Sequence, residues 1–395
     1  MTPLPDVSRL HRIPERFAAT LASCGLTTSF LHANAEPGDD LRGPLRLTRA
    51  ATYRDDAASI ALRLFMGGFH EPWHDQSLYD CGLLTADGQN AHCPFHLRLV
   101  DHLYLISDYL GAHDDAVMGA GETTELLYQA AKPEGFAGAV LDLGCGAGTI
   151  ALLLARRADH VTGTDISHRA IAIAEANARL NGITNASFLT GDCLEPVQGR
   201  QFDIIVSQPP YYPADRAGQQ VFLSGGPRGD EIARRVILDC PPHLTEEGRA
   251  LILSSWHPDA AVPHPPNTRV LELYTPVGDV PGTRQSLVIL EPAAGDPWFD
   301  RFEVPGECWG SIRPHRIDEL MRTRQWLRHP HGHLQFTTGA STFTEGQQRF
   351  VQARAESLLP TRAISEEEWF ALQNPNTAPD PLKRHLVALG WLIPK

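Results

Sequence analysis

The sequence predicts an α/β fold: a mainly parallel sheet with helices on both faces, flanked by a smaller N-terminal module and a C-terminal extension. Three observations predict it. Between about residues 114 and 292, apolar strand-like runs alternate with helical patterns, the signature of a doubly covered parallel sheet. A glycine loop, Val140-Leu-Asp-Leu-Gly-Cys-Gly-Ala-Gly148, follows the first of these runs. A proline pair, in Asp203-Ile-Ile-Val-Ser-Gln-Pro-Pro-Tyr211, follows the fourth.

The elements are predicted in chain order as follows. Residues 17–23 and 57–65 read as helices, the second stopped by Gly67 and Gly68. A turn at Asp87-Gly88 and an apolar run over 103–107 predict a small hairpin region. Helices followed by a hairpin make residues 1–110 a winged-helix-like accessory domain. The central domain, 111–292, is read as strands over 140–143, 160–165, 186–190, 202–207, 249–254, 270–274 and 285–290. Its helices are predicted over 149–158, 167–181 and 231–240. Residues 293–395 form a C-terminal accessory or substrate region of mixed pattern.

Composition sets outer limits. The chain has 395 residues, enough for two or three domains. Hydrophobic residues make 42% and charged residues 21%, ordinary values for a globular protein. A net charge of -13 disfavours a protein that coats nucleic acid without specificity, because that requires a basic face. Seven cysteines without regular spacing read as reduced thiols of a cytoplasmic protein. The first residues lack the apolar core of a signal peptide. No run of about 18 apolar residues suggests a transmembrane helix.

The glycine loop lies between a strand and a helix, where glycines permit a tight turn and close approach of a ligand. Alone the pattern is shared with dinucleotide-binding folds and with plain turns. Asp142 lies inside the strand, where a dehydrogenase fingerprint begins with glycine. Asp165 ends the next strand, about 20 residues on, where a carboxylate meets ribose hydroxyls. Gly191-Asp192-Cys193 ends the third strand. This ordered set resembles class I S-adenosylmethionine (SAM)-dependent methyltransferases of the methyltransferase small domain superfamily. The resemblance implies a Rossmann-like seven-stranded sheet. It also implies a cofactor site of Asp142, Gly144, Cys145, Gly146, Gly148, Asp165, Ile166, Asp192, Cys193 and Gln208.

Gln208-Pro209-Pro210-Tyr211 resembles the Asn/Asp-Pro-Pro-Tyr/Phe motif of nitrogen methyltransferases, with glutamine at the first position. A planar amide or exocyclic amine is a poor nucleophile because its lone pair is delocalised. A carboxamide oxygen and a main-chain carbonyl can accept its N–H bonds and orient the nitrogen. Prolines stiffen the loop and carry no competing donor, and Tyr211 can stack on a planar group. Gln208, Pro209, Pro210 and Tyr211 are therefore the candidate catalytic set. Ser224-Gly225-Gly226-Pro-Arg-Gly229-Asp230 and Gly121-Glu122-Thr123-Thr124-Glu125 resemble segments of release-factor glutamine methyltransferases. Ordinary turn and helix-cap chemistry explains both equally well.

Other constellations point elsewhere. His70, His74, Cys81, His92, Cys93 and His96 crowd one stretch but fit no zinc-finger spacing, so no metal is expected. Ser254-Ser-Trp256-His257 lacks a nucleophile elbow and is expected on the substrate side. Arg313, His315, Arg316, Arg322, Arg324, Trp326, Arg328 and His329 form a basic stripe that suits phosphates, RNA, a peptide carboxylate or a solvated helix face. The expected function is N-methylation of a planar amide, amine or guanidine nitrogen of a protein, peptide or small molecule. Methylation of a nucleobase in RNA or DNA, or SAM binding by a non-catalytic regulator, remains an alternative.

Overall fold

The structure, a computed structural model, describes residues 4–27, 60–61, 75–88, 90–109, 114–133, 135–214, 222–276, 280–293 and 297–303, together with residue 371 and short strands beyond residue 303. Its centre is an eight-stranded sheet of order β12-β10-β11-β9-β8-β5-β6-β7. The strands are β5 (Ala137–Leu143), β6 (Ala158–Asp165), β7 (Ala186–Thr190), β8 (Phe202–Ser207), β9 (Leu244–Trp256), β10 (Thr268–Thr275), β11 (Arg284–Pro292) and β12 (Trp298–Glu303). Pairing is parallel except along β11, which runs antiparallel to β9 and β10. Seven of these strands match the predicted runs. The eighth, β12, extends the edge beyond residue 292, past the boundary that the sequence suggests.

Near-continuous apolar runs suit strands covered on both faces. In β9 the last seven residues, 250–256, are all buried, and in β11 only Pro292 is not. Helix α4 (Thr149–Leu154) is buried at every position and turns into a 3-10 segment, Ala155–Arg157. It is shorter than the predicted 149–158 because Ala158 already belongs to β6. Helix α5 (His168–Asn181) begins at a Ser167 cap, whose hydroxyl accepts from the Ala170 N–H at 3.2 Å, and ends on left-handed Gly182. Helices α3 (Glu122–Ala131) and α6 (Glu231–Asp239) complete the layers.

The N-terminal module contains α1 (Phe17–Ser23), α2 (Gln76–Asp80) and two hairpins. These are β1 (Thr85–Asp87) with β2 (Asn90–His92), and β3 (His96–Val100) with β4 (Leu103–Ser107). Of the helix predicted over 57–65, only Ile60 and Ala61 lie among the described residues, and both are helical. The module does not keep its apolar residues to itself. Leu10, Phe17, Leu21, Phe95 and Ile106 pack with Ala170, Ile173 and Leu180 of α5. The opposite face of α5, through Ile171, Ala174 and Ala178, joins the core under the sheet. In the basic stripe, Trp326–Arg328 is strand, paired with Leu392–Pro394, while Arg313, His315, Arg316, Arg322, Arg324 and His329 lie outside the described residues.

Two asparagines one turn apart on α5 seal this joint. Asn177, fully buried, accepts from the Ile106 N–H at 2.7 Å and donates to the Ile106 carbonyl at 2.9 Å. It also donates to the Ala147 carbonyl, in the glycine loop, at 2.9 Å. Asn181 treats Tyr104 in the same way, at 3.0 and 2.8 Å. The two side chains thus stand in for a neighbouring strand along the free edge of β4, where unpaired backbone groups would be costly. Asn177→Ala is expected to lower unfolding free energy by about 2–4 kcal/mol, because three buried backbone groups lose their partner. Urea denaturation measures this; a loss under about 0.5 kcal/mol would mean that packing alone holds the module.

Candidate active site

The strand order reverses between β5 and β8, so the loops leaving these two strands open side by side, the place where α/β sheets bind ligands. Leu143 and Ser207, the last residues of the two strands, are paired in register. The Ser207 hydroxyl donates to the Leu143 carbonyl at 2.9 Å. Gly144 and Gln208 are the next residues on each chain, so the two sequence motifs begin at one level of the sheet.

Gly144, Gly146 and Gly148 have φ of 76°, 53° and 78°, a left-handed backbone that disfavours side chains. At Gly144 and Gly146 a Cβ would meet only open space, whereas at Gly148 it would lie 2.9 Å from the Ala174 Cβ on α5. The Thr164 carbonyl accepts from the N–H groups of Gly144 and Cys145 at 2.8 and 2.9 Å. Two carboxylates pin the rest. Asp165 accepts from the Gly146 N–H at 2.9 Å through Oδ2 and from the Ser167 N–H at 2.9 Å through Oδ1. Asp142 accepts from the Ala151 N–H at 2.8 Å, in the first turn of α4.

Both carboxyls are pushed up by burial, Asp142 to about 7, with Asp165 adding repulsion. Among the described residues neither is paired with an arginine or lysine. Ile166, beside Asp165, is 60% exposed, an apolar side chain left uncovered at the mouth of the glycine loop. Cys145 is buried, and burial with the nearby Asp142 and Asp165 pushes its thiol well above the ordinary range.

Asp192 has a partner that the sequence does not announce. Arg235 on α6 donates to its Oδ2 at 2.7 Å, and this bond holds the carboxyl below its usual value. Cys193 follows in a left-handed conformation, φ 49°, and burial pushes its thiol up to about 11.

Gln208 donates through Nε2 to the Thr123 hydroxyl at 2.7 Å. Thr123 stands in the first turn of α3, so the Thr-Glu segment meets the proline loop directly. Tyr211 stacks on Tyr212, ring centroids 5.7 Å apart at 24°. Residues 224–229 form the wall behind the loop. A Cβ at Gly225 would collide with the carbonyls of Gly229 and Pro210, and one at Gly229 (φ 91°) would lie 2.6 Å from the Tyr211 carbonyl. Here close packing demands glycine at Gly225, and packing together with a left-handed backbone demands it at Gly229. The Glu231 carboxylate accepts from the N–H groups of Arg228 and Gly229, closing the turn onto α6.

The remaining candidates lie elsewhere. Ser254, Ser255 and Trp256 end β9 as buried side chains instead of following the strand. His96 is buried against Tyr109, and burial lowers it to about 4. Cys81 donates to the Leu78 carbonyl. His70 and His74 lie outside the described residues, and among those described no three His, Cys, Asp or Glu side chains converge on a metal position. Arg235 and Asn177 carry no sequence signal, because each acts on a residue distant in the chain.

Residues 118–260 match the family model of the methyltransferase small domain. The release factor glutamine methyltransferase of Geobacter sulfurreducens is 34% identical over 143 residues, covering 33% of this chain and 50% of that protein. The ribosomal protein uL3 glutamine methyltransferase of Xanthomonas campestris pv. campestris is 36% identical over 120 residues, covering 27% of this chain and 39% of the relative. The ribosomal RNA small subunit methyltransferase C of Alcanivorax borkumensis is 34% identical over 148 residues, covering 35% and 42%. The chain thus spans half or less of the length of these three curated relatives.

Burial raises Asp142 above its value in the unfolded chain, about 3.9. Its contribution to stability is therefore complete below that value and is lost as pH rises to about 7. Replacing it with asparagine keeps an acceptor for Ala151 and removes the titration. Asp142→Asn is expected to flatten the dependence of Tm on pH between about 4 and 7. A profile parallel to wild type, measured by differential scanning calorimetry, would exclude an uncompensated Asp142.

Proposed function

We propose that the chain is a SAM-dependent methyltransferase acting on a planar amide, amine or guanidine nitrogen of a protein, peptide or small molecule. The observation that carries this reading is the adjacency at the switch point. A glycine floor bordered by two unneutralised carboxylates lies beside a proline loop led by a carboxamide.

The residues present fit the cofactor. Open space above Gly144 and Gly146 admits a ligand against the backbone. Asp165 uses two hydrogen bonds and, as a carboxylate, retains lone pairs for ribose hydroxyls. Exposed Ile166 offers an apolar surface for the adenine ring, and Asp192, just beyond the third strand, retains lone pairs beside its Arg235 bond for the amino group. The negative field of Asp165, joined by that of Asp142 as it ionises near pH 7, suits a cation. SAM, when bound, supplies a methyl group on a positively charged sulfur. Gly144, Cys145, Gly146, Gly148, Asp165, Ile166, Asp192 and Cys193 hold it in this reading, with Asp142 setting the loop.

The chain's own part in the reaction is positional. The Gln208 carboxamide oxygen and a main-chain carbonyl of the proline loop accept the N–H bonds of the acceptor. They orient its nitrogen and stabilise the positive charge that develops there. The proton leaves once the nitrogen has four bonds, so no strong base is required. Tyr211, already stacked on Tyr212, supports a flat acceptor group.

Glutamine methyltransferases among the relatives support a protein amide as acceptor. The RNA-modifying relative keeps a nucleobase as the second reading; the acidic net charge of -13 counts against it. Among the described residues no helix is long and apolar enough to cross a membrane. The free cysteines fit the reducing cytoplasm.

Gln208→Ala is expected to leave SAM affinity within about twofold, by calorimetry, and to lower turnover by tens-fold or more. Unchanged turnover would remove Gln208 from the mechanism. With methyl-labelled SAM and fractionated extract, label should enter the protein or small-molecule fraction. Label confined to RNA would replace the first reading with the second.

A further inference from the structure

The hydrogen bond between Gln208 and Thr123 does more than join two loops. A carboxamide has a donor end and an acceptor end, and the two ends select opposite substrates. With the Thr123 hydroxyl accepting one of the two Nε2 N–H groups, the oxygen Oε1 has no partner among the described residues. Glutamine also has one more rotatable bond than asparagine, so an untethered Gln208 would present either end to an acceptor.

We infer that Thr123 is a positioning residue that turns the Gln208 carboxamide so that its oxygen, not its amide N–H, faces the acceptor. The clamp restricts the site to acceptor groups that donate an N–H. This rests on the methyl-transfer reading above.

Thr123 is itself held from the N-terminal module. Thr124 accepts from the Gly121 N–H at 3.2 Å, closing the first turn of α3. Just before that turn, Arg98 on β3 donates to the Ala120 carbonyl. Gly119 packs so closely on Ser107 that a Cβ would lie 2.6 Å from the hydroxyl oxygen. Asp108 accepts from the Val117 N–H at 2.8 Å, and the Asp108 N–H donates to the Val117 carbonyl at 3.0 Å. The Asp108 side chain, wholly buried, is locked by Arg169 of α5 at 2.5 Å. Each residue from 117 to 121 other than Met118 is thus gripped on one side or the other, which fixes where α3 starts and where the Thr123 hydroxyl stands. The module's contribution to the reaction is therefore positional as well.

Two substitutions in the full chain test this. Thr123→Val keeps the shape and removes the hydroxyl; Thr123→Ser keeps the hydroxyl. The first readout is NMR of glutamine side-chain amides after selective nitrogen labelling, with Gln208→Ala identifying the Gln208 pair. Wild type and Thr123→Ser should show a Gln208 amide protected from solvent exchange, and Thr123→Val should lose that protection. The second readout is labelled methyl transfer. Thr123→Val should lower kcat by about tenfold with SAM affinity unchanged, and Thr123→Ser should restore it to within about twofold. An unprotected Gln208 amide in wild type, or an unchanged kcat in Thr123→Val, overturns the proposal. If wild type transfers no label to any fraction, the methyl-transfer reading fails. The amide signal still decides whether Thr123 orients Gln208.

Discussion

Everything at the mouth of the sheet depends on two carboxylates that bond to backbone rather than to cations. Asp165 binds the N–H groups of Gly146 and Ser167, and Asp142 binds that of Ala151. Such hydrogen bonds contribute about 0.5–1.5 kcal/mol each, and more where the acceptor is ionised. They hold a loop whose three glycines are all left-handed, a conformation that a free chain would sample and leave. The carboxyls remain uncompensated, so burial raises both.

The second constraint is α5. It is apolar on two sides, with Ile171, Ala174 and Ala178 toward the sheet and Ala170, Ile173 and Leu180 toward the N-terminal module. Ala174 also limits Gly148 of the glycine loop, and Asn177 bonds both that loop, at Ala147, and β4 of the module, at Ile106. One helix therefore sets the glycine loop and the module at the same time. The module in turn holds residues 117–121 and so the start of α3, where Thr123 meets Gln208. The glycine loop and the proline loop are thus coupled through packing as well as through the paired ends of β5 and β8.

Much of this was legible in the chain. The strands over 186–190 and 202–207 are found where period and apolarity put them, since a strand buried on both faces reads as a plain apolar run. Helix α5 begins at Ser167 and ends at Gly182, both standard caps. Two readings needed the structure to decide them. The Ser224 to Asp230 segment resembled a family feature or an ordinary turn, and the contact of Gly225 with the Pro210 carbonyl shows that close packing adds its own demand for glycine there. Asp192 read as a cofactor-site carboxylate, and only the structure shows that it also carries Arg235. That arginine is unremarkable in sequence because α6 and the loop after β7 meet only in the folded chain.

The sequence by itself determined the fold class, the position of the glycine loop and the nature of the proline loop. Those properties are local: periodicity, glycine at left-handed positions, and a carboxamide before two prolines are written in consecutive residues. Only the tertiary structure decided that Gln208 is tethered to Thr123, that α5 is shared by two cores, and that an eighth strand, β12, extends the edge of the sheet. Each joins segments far apart in the chain. Such pairings depend on the order in which strands stack and on which faces remain to be covered, and no single stretch of residues carries that information.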